Sequence, residues 1–228
     1  MPVRKTSLLI AGLLVLAAAI GLARASEHEC QVIVDTDMGL DDVRAIFALL
    51  ADGSMPIRCM ITVEGSASAG KGADNLIGLL EESEADEILL FRGAGYPGRK
   101  PPPWRGTANS LAGDPFPPPR HMTAIDGGPD RLHSLITESH EAIIYLALGP
   151  LKNLALLEKR HPGSLSKLEA IWLPVSIDSN IVEGWNLSFD PESALDVIES
   201  AGNVILVDVT STREAIDAPA LLDSVRGP

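Results

Sequence analysis

The sequence predicts an α/β fold of the Rossmann-like kind, with a mostly parallel sheet and helices on both faces. Short apolar runs alternate with segments whose apolar residues recur at helical spacing. Several runs are apolar at successive positions, as in strands that are covered on both sides of a parallel sheet. In such sheets ligands bind beyond the carboxyl ends of the strands, so the residues that follow each strand are the candidates for a functional site.

The composition excludes several classes of protein. Of the 228 residues, 46% are hydrophobic, which is too many for an intrinsically disordered chain. The net charge of -13 would repel phosphates, so we expect no nucleic-acid partner. Two cysteines are too few for a disulfide scaffold or a four-thiolate zinc site. Cys30 and Cys59 stand near the starts of two predicted strands, and the sequence allows either a disulfide between them or two buried thiols.

The first 25 residues are typical of a signal peptide. Arg4 and Lys5 precede an apolar run over Leu8–Ala23, and Ala25 closes a small-residue cleavage signal. An uncleaved anchor is the alternative, but the run is short for a span of roughly 20 residues. We therefore expect cleavage after Ala25, a periplasmic or extracellular protein, no stable membrane association after cleavage, and one α/β domain over residues 26–228.

The first half of the chain alternates three strands with two helices. In order, the predicted elements are strand Gln31–Asp35, helix Asp41–Ala51 (apolar at Val43, Ile46, Phe47 and Leu50), strand Ile57–Val63, helix Gly72–Glu81 (apolar at Ala73, Leu76, Ile77 and Leu80) and strand Glu87–Phe91. A loop rich in proline and glycine follows over Arg92–Asp126, and a loop of this length in a compact domain is usually functional or mobile.

The alternation resumes in the second half. The predicted elements are helix Pro129–Ser139, strand Ala142–Leu148, helix Leu151–Lys159, strand Leu168–Leu173, helix Pro191–Ser200 and strand Asn203–Val209. The clearest helix start is Asp190-Pro191, because an acid at the cap followed by proline in the first turn is a common N-terminal signature. The chain shows no internal repeat and no linker to a second domain.

Four carboxylates lie within eight residues at the end of the first predicted strand, at Asp35, Asp37, Asp41 and Asp42. Like charges this close repel one another unless a cation or a hydrogen-bond network compensates them. Hard oxygen ligands favour Ca²⁺ or Mg²⁺ over zinc. Helix capping explains Asp41 or Asp42, because negative charge is favourable at a helix start, but it does not explain an acid on the strand.

Two known acidic motifs match part of this stretch but not all of it. An EF-hand loop needs a glutamate at its twelfth position, where this chain has Ile46, and it needs flanking helices. Phosphatases of the haloacid-dehalogenase type carry D-x-D-x-[TV] after their first strand, but Gly39 stands at the last position of that motif here. We reject the EF-hand and keep the phosphatase as a weaker alternative.

Four stretches, in order, resemble the inosine–uridine-preferring nucleoside hydrolase family. The first is the D-T-D-x-G-x-D-D-x-x-A-I pattern that begins at Asp35; the others are Ile61–Gly65, Ala147–Ala155 and Trp185–Ala194. The resemblance runs from about Val32 to Val209. It implies a fold like that of the family and the hydrolysis of a ribonucleoside, with water, to ribose and a free base.

The resemblance also implies a set of site residues. Asp37 and Asp42 would ligate Ca²⁺ together with the backbone carbonyl of Leu148. Asp37 would in addition take a proton from the metal-bound water that attacks the anomeric carbon. Asp41 and Asn186 would hydrogen-bond ribose hydroxyls. The carboxylates suit a transition state that resembles an oxocarbenium ion.

The resemblance implies roles for further positions, and some of these depart from the family pattern. Asp35 would orient the cluster from behind. Ser66 stands where the family offers an asparagine to the ribose, and Gly184 stands where it has a glutamate, with Glu183 one residue earlier. Asn180 is a further predicted ribose contact. The family is often oligomeric, so the resemblance makes a homo-oligomer plausible.

The family continues past the sixth predicted strand with a His-Asp pair, in which the histidine protonates the leaving base and the aspartate completes the metal shell. The sequence stops at Pro228, none of its histidines is followed by aspartate, and His121 of the long loop is interpreted as a surface residue. We therefore expect the C-terminal part of the fold to be missing. Three interpretations follow: a fragment, a short form with weak activity, or a catalytically silent binder of ribosides or Ca²⁺.

Overall fold

A computed structural model describes residues 30–110, 116, 118–178 and 181–209, without the side chains of residues 178 and 181. The predicted signal peptide and its cleavage site lie outside this part of the chain. Within it, no helix combines the length and the apolar character needed to cross a membrane.

The described strands form one mostly parallel sheet, as predicted. They are β1 (Cys30–Thr36), β2 (Ile57–Thr62), β3 (Leu89–Arg92), β4 (Ala142–Ala147), β5 (Ala170–Asp178), β6 (Ile181–Glu183) and β7 (Val204–Asp208). Their order is β3-β2-β1-β4-β5, with β7 parallel to β5 and β6 antiparallel to the end of β5. The sequence did not predict β6, because three residues are too few to show an alternating pattern.

The helices agree with the predicted ones to within a few residues at each end. They are α1 (Leu40–Asp52), α2 (Ala69–Glu82), α3 (Arg105–Asn109), α4 (Gly128–Glu138), α5 (Lys152–Arg160), α6 (Trp185–Phe189) and α7 (Pro191–Ser200). The short helices α3 and α6 were not predicted. A 3₁₀ turn over Leu165–Lys167 shifts the start of β5 to Ala170, two residues later than predicted.

Successive side chains of the central strand β1 pack into two separate hydrophobic cores, one on each face of the sheet. Ile33 faces α4, α5 and α7, whereas Val34 faces α1 and α2. Both residues are fully buried, which confirms that helices cover the two faces of the sheet. The chain runs from β1 to β2 on one side and returns to β4 on the other, so the strand order reverses between β1 and β4. This reversal opens a crevice at the carboxyl ends of those two strands.

Both cysteines are free thiols. Their strands are neighbours, but the register pairs Cys59 with Ile33, three positions along β1 from Cys30. Three residues of a strand span about 10 Å, which exceeds the Cα separation of roughly 7 Å that a disulfide tolerates. The register therefore decides between the two possibilities that the sequence left open.

Candidate active site

The predicted carboxylates come together at the crevice between β1 and β4. Asp35 is the last residue but one of the buried strand β1, Asp37 follows the strand, and Asp42 lies in the first turn of α1. All three side chains are buried, whereas Asp41 is exposed at the same helix start. The acidic stretch of the sequence is thus one compact cluster in space.

Backbone N–H groups hold the Asp37 carboxylate on both sides. Oδ1 accepts from Gly39 at 3.0 Å, and Oδ2 accepts from Ser66 at 2.8 Å. The approach from the Ser66 side is so close that a Cβ added to Gly65 would lie 2.1 Å from Oδ2, so the site requires glycine there. Met38 beside it has a φ of 55°, a left-handed conformation that is uncommon for a non-glycine residue. Such strain is frequent at functional sites.

Asp42 is tied to the end of β1. Its Oδ2 accepts from the Thr36 hydroxyl at 2.6 Å and from the Asp37 backbone N–H at 3.1 Å. Because α1 begins at Leu40, the carboxylate also lies at the positive end of the helix dipole. The turn from β1 into α1 therefore brings the carboxylates of Asp37 and Asp42 to the same edge of the sheet.

Burial and mutual repulsion make these carboxylates costly to ionise. Removal from water, opposed by hydrogen bonds to the carboxylate, raises the pKa of Asp37 to about 6. Burial, with repulsion from Asp37 and Asp41, raises the pKa of Asp42 well above its usual range. Among the described residues, no Lys, Arg or His side chain forms an ion pair with Asp37 or Asp42. A bound cation would offset the cost of ionising both carboxylates.

Asp35 lies behind this cluster and connects three elements. Its carboxylate accepts from the Tyr145 hydroxyl of β4 at 2.7 Å and from the Asn153 amide of α5 at 3.1 Å. Burial raises its pKa to about 7, and the two hydrogen bonds partly oppose that rise. Tyr145 and Asn153 were not predicted as part of the site. In the sequence, Asn153 is marked only by its position directly after G-P-L-K, and nothing marks Tyr145.

Leu148 and Asn186 meet on the β4 side of the crevice. Leu148 directly follows β4, and its backbone N–H donates to the carbonyl of Asp35 at 2.8 Å. The carbonyl of Leu148 accepts a short hydrogen bond from the Asn186 side-chain amide. The predicted carbonyl ligand and the predicted ribose contact are therefore neighbours, although 38 positions separate them in the sequence.

An aromatic wall, defined as Trp104, Trp185 and Phe189, stands next to the predicted ribose contacts. The Trp104 and Trp185 ring centroids are 5.7 Å apart, and Trp185 stacks on Phe189 at 4.7 Å. The Trp104 indole N–H donates to the Ser66 hydroxyl at 3.3 Å, and Trp185 precedes Asn186. Both tryptophans are more than a third exposed, so their rings present apolar surface next to Ser66 and Asn186.

One predicted contact, Glu183, is not brought to the cluster, and a second lies outside the described residues. Glu183 is exposed on β6 opposite Ser176, and it lines an open cleft of about 580 Å³. No hydrogen bond or ion pair within the described chain joins it to the carboxylates. Asn180 lies outside the described residues. His121 lies away from the cluster, and its ring contacts Asp86 at 2.8 Å. Both side chains are exposed, which agrees with the interpretation of His121 as a surface residue.

The donor atoms fit a hard cation. Within the described ranges no three Asp, Glu, His or Cys side chains form a metal-binding group. Two carboxylates and one main-chain carbonyl are the available set, all of them oxygen, as Ca²⁺ and Mg²⁺ prefer. Because Gly65 has no side chain, the backbone can approach the Asp37 carboxylate closely and donate to it from Ser66.

Fold and site together define a Rossmann-like α/β protein with a carboxylate site at its switch point. A family model described as inosine-uridine preferring nucleoside hydrolase matches residues 32–226, and the chain belongs to that family. Members of this family hydrolyse ribonucleosides and depend on a metal ion. This membership replaces the haloacid-dehalogenase alternative.

Two groups of relatives agree with this assignment. A non-specific ribonucleoside hydrolase RihC of Klebsiella pneumoniae is 27% identical over 197 residues, which cover 81% of this chain and 63% of that protein. The RihC of Salmonella agona is 26% identical over 206 residues and 85% of this chain. The chain spans about 63% of the length of the Klebsiella relative.

Solved structures of nucleoside hydrolases share the fold. An inosine-guanosine nucleoside hydrolase superposes with a TM-score of 0.70 at 26% identity, covering 86% of this chain and 67% of that one. The plant nucleoside hydrolase PpNRh1 superposes with a TM-score of 0.65 at 27% identity, covering 78% and 59%.

Proposed function

We propose that the chain carries the calcium- and ribose-binding part of a ribonucleoside hydrolase, which converts a ribonucleoside and water to ribose and a free base. One observation carries the proposal: two backbone N–H groups hold the buried Asp37 carboxylate next to Asp42, and no cationic side chain of the described chain pairs with either. The relatives' names support the same class of substrate.

Asp37, Asp42 and the carbonyl of Leu148 would hold Ca²⁺. The ion, when bound, would supply positive charge that binds a ribose diol and lowers the pKa of a water molecule. The contact of Asn186 with the Leu148 carbonyl supports this role, because it would keep the Asn186 side chain close to a sugar hydroxyl bound beside the ion. The two buried carboxylates also suit a sugar that becomes positively charged as the glycosidic bond breaks.

Asp37 is the proposed base for the attacking water. Its two backbone hydrogen bonds fix the plane of the carboxylate, so that the proton acceptor is oriented before substrate arrives. Asp41, Asn186 and Ser66 are the proposed ribose contacts, and the exposed position of Asp41 leaves it accessible to a sugar. Asp35 is proposed to support the cluster through Tyr145 and Asn153. Glu183 and Asn180 stay predictions.

The aromatic wall is proposed to face the base. Trp104 and Trp185 offer flat apolar surface next to the proposed ribose contacts Ser66 and Asn186. A base stacks on such a surface without regard to its hydrogen-bonding edge, so stacking by itself favours broad base specificity. This arrangement supports a ribonucleoside over a simple riboside.

A second candidate is a protein that binds ribosides and Ca²⁺ without turnover. The observation that favours it concerns the leaving-group acid. The hydrogen bonds of His121, His133 and His161 join Asp86, Ser164 and Asp130, all of them away from the carboxylate cluster. His140 is exposed just before the amino end of β4, whereas the cluster lies at the carboxyl ends of the strands. The described residues therefore offer no histidine to protonate a departing base.

Calcium titration and a base-release assay separate the two candidates. We expect Ca²⁺ binding by calorimetry, release of nitrophenol from p-nitrophenyl riboside, and release of base from inosine and uridine. Asp37→Asn should lower turnover at least about 100-fold. The matched variant Asp196→Asn, on the exposed side of α7, should retain it. Calcium binding without nitrophenol release favours the silent binder, and release unchanged in Asp37→Asn excludes the proposed mechanism.

Export stays part of the proposal. The basic start, the apolar run and the small residues up to Ala25 support cleavage in an extracytoplasmic compartment. N-terminal sequencing of the protein from the culture medium or the periplasm should begin at Ser26. A mature protein that begins at Met1 would contradict this.

A further inference from the structure

Arg105, in the long loop, reaches back to the turn after β2. Its side chain is only 13% exposed, and three of its nitrogens are used. Nη1 donates to Oε1 of Glu64 at 2.9 Å, Nη2 to the carbonyl of Gly65 at 2.8 Å, and Nε to the carbonyl of Ser66 at 2.9 Å. One planar guanidinium therefore binds three consecutive residues.

The hydrogen bond from Arg105 to the Gly65 carbonyl involves the same peptide unit that donates to Asp37, the candidate base. The peptide unit between Gly65 and Ser66 accepts from Arg105 through its carbonyl and donates to Asp37 Oδ2 through its N–H, both at 2.8 Å. A hydrogen bond to the carbonyl of a peptide polarises its N–H, so the two bonds strengthen each other. Arg105 thus acts on Asp37 through one rigid planar group.

Glu64 holds the guanidinium in place. Its Oε1 pairs with Arg105, while its Oε2 accepts from the backbone N–H of Tyr96 at 2.7 Å. The carboxylate is 16% exposed, so the pair lies mostly out of water and its geometry is well defined. Arg105 and Tyr96 therefore both attach the long loop to the turn that binds Asp37, in addition to the bond from Trp104 to Ser66.

We propose that Arg105 is a positioning residue of the active site, which fixes the Gly65–Ser66 peptide and, through it, the orientation of the Asp37 carboxylate. The part of this inference that concerns Ca²⁺ rests on the proposed function. The part that concerns the peptide does not, because both hydrogen bonds join groups of the chain itself.

Arg120→Gln is a matched control for Arg105→Gln. Arg120 belongs to the same long loop and pairs with Glu81, with Nε 3.2 Å from Oε2. It contacts neither the turn after β2 nor Asp37. A loss of loop anchoring alone would therefore appear in both variants, whereas a loss of positioning appears only in Arg105→Gln. Arg105→Lys keeps the charge but cannot reach three acceptors, so it should lie between wild type and Arg105→Gln.

Two measurements test the proposal. In the metal-free protein, exchange of the Ser66 amide hydrogen, followed by NMR, should be about 10-fold faster in Arg105→Gln than in wild type or Arg120→Gln. In calorimetric titration with Ca²⁺ alone, Arg105→Gln should bind at least about 10-fold more weakly, and Arg120→Gln should match wild type. Far-UV circular dichroism confirms folding, and Arg105→Lys serves if Arg105→Gln does not fold.

The outcomes distinguish this proposal from the proposed function. Equal Ser66 exchange in wild type and Arg105→Gln, or equal acceleration in Arg120→Gln, overturns it. So does Ca²⁺ affinity that the Arg105 substitutions leave unchanged. If wild type itself binds no Ca²⁺, the proposed function fails, and the exchange rates alone then decide the role of Arg105.

Discussion

The Tyr145 hydroxyl donates a hydrogen bond to the Asp35 carboxylate at 2.7 Å, and both side chains are completely buried. The bond joins β1 to β4 directly behind the carboxylate cluster, across 110 positions of sequence. A buried carboxylate is costly unless polar groups surround it, and Asn153 supplies the second donor. The support of the site is thus a polar network inside the core.

Tyr145→Phe should destabilise the protein by about 1–3 kcal/mol, because it leaves a buried carboxylate with one donor fewer. Urea unfolding measures the change. Trp172 is a matched control on the neighbouring strand β5, since its buried indole N–H has no hydrogen-bond partner among the described residues. Trp172→Phe should therefore lose packing but no hydrogen bond. A loss below about 0.5 kcal/mol for Tyr145→Phe would contradict the network.

Gly65→Ala should abolish or strongly weaken Ca²⁺ binding. The new Cβ would lie 2.1 Å from Asp37 Oδ2, so the carboxylate must leave its position. Gly70→Ala is the matched control, because nothing lies within 4 Å of a Cβ at that helical position. It should leave binding intact and stabilise α2 by up to about 1 kcal/mol. Calorimetry and thermal unfolding measure the two effects, and equal binding in both variants would contradict this account.

Glu81→Gln should make the stability of the protein depend less on pH in the acid range. Backbone N–H groups of Met122, His121 and Arg120, with the Arg120 guanidinium, lower the pKa of Glu81 from 4.5 to about 2. A carboxyl group whose pKa is lower in the folded state than in the unfolded chain stabilises the fold. This stabilisation is complete when the pH is above the pKa of the group in the unfolded chain. That contribution is lost as the pH falls from about 4.5 to about 2.

The measurement for Glu81 is the thermal midpoint at pH 7 and at pH 3. Wild type should lose more of its stability between these values than Glu81→Gln does. Glu199→Gln, at an exposed position near the end of α7, should behave as wild type. Parallel pH curves for wild type and Glu81→Gln would disprove the role of Glu81 as an anchor of the long loop.

Trp104→Ala should raise the KM for nucleosides about 10-fold and leave Ca²⁺ affinity unchanged, since stacking contributes to base binding and not to the ion. Trp104→Phe retains a ring next to Trp185 but loses the hydrogen bond to Ser66, and it should retain most of the affinity. Steady-state kinetics with inosine and uridine measure both variants. An unchanged KM in Trp104→Ala would remove this tryptophan from the base site.

Much of the fold was predictable because it depends on local patterns. Uninterrupted apolar runs predicted six of the described strands, and helical spacing predicted five helices. The elements that were missed, β6, α3 and α6, have three to five residues each, too short for either period to repeat. The pairing of Cys30 with Cys59 was not decidable, because strand register depends on how whole elements pack.

The sequence by itself determined the family and the cluster of Asp35, Asp37, Asp41 and Asp42, because these acids are neighbours along the chain and one turn carries them. Only the tertiary structure decided what holds them. Ser66 lies 29 positions from Asp37, and Asn153 lies 118 positions from Asp35. Such hydrogen bonds exist because the strand order places β2 and β4 on either side of β1. That order results from how whole strands and helices pack against one another, which no local pattern encodes.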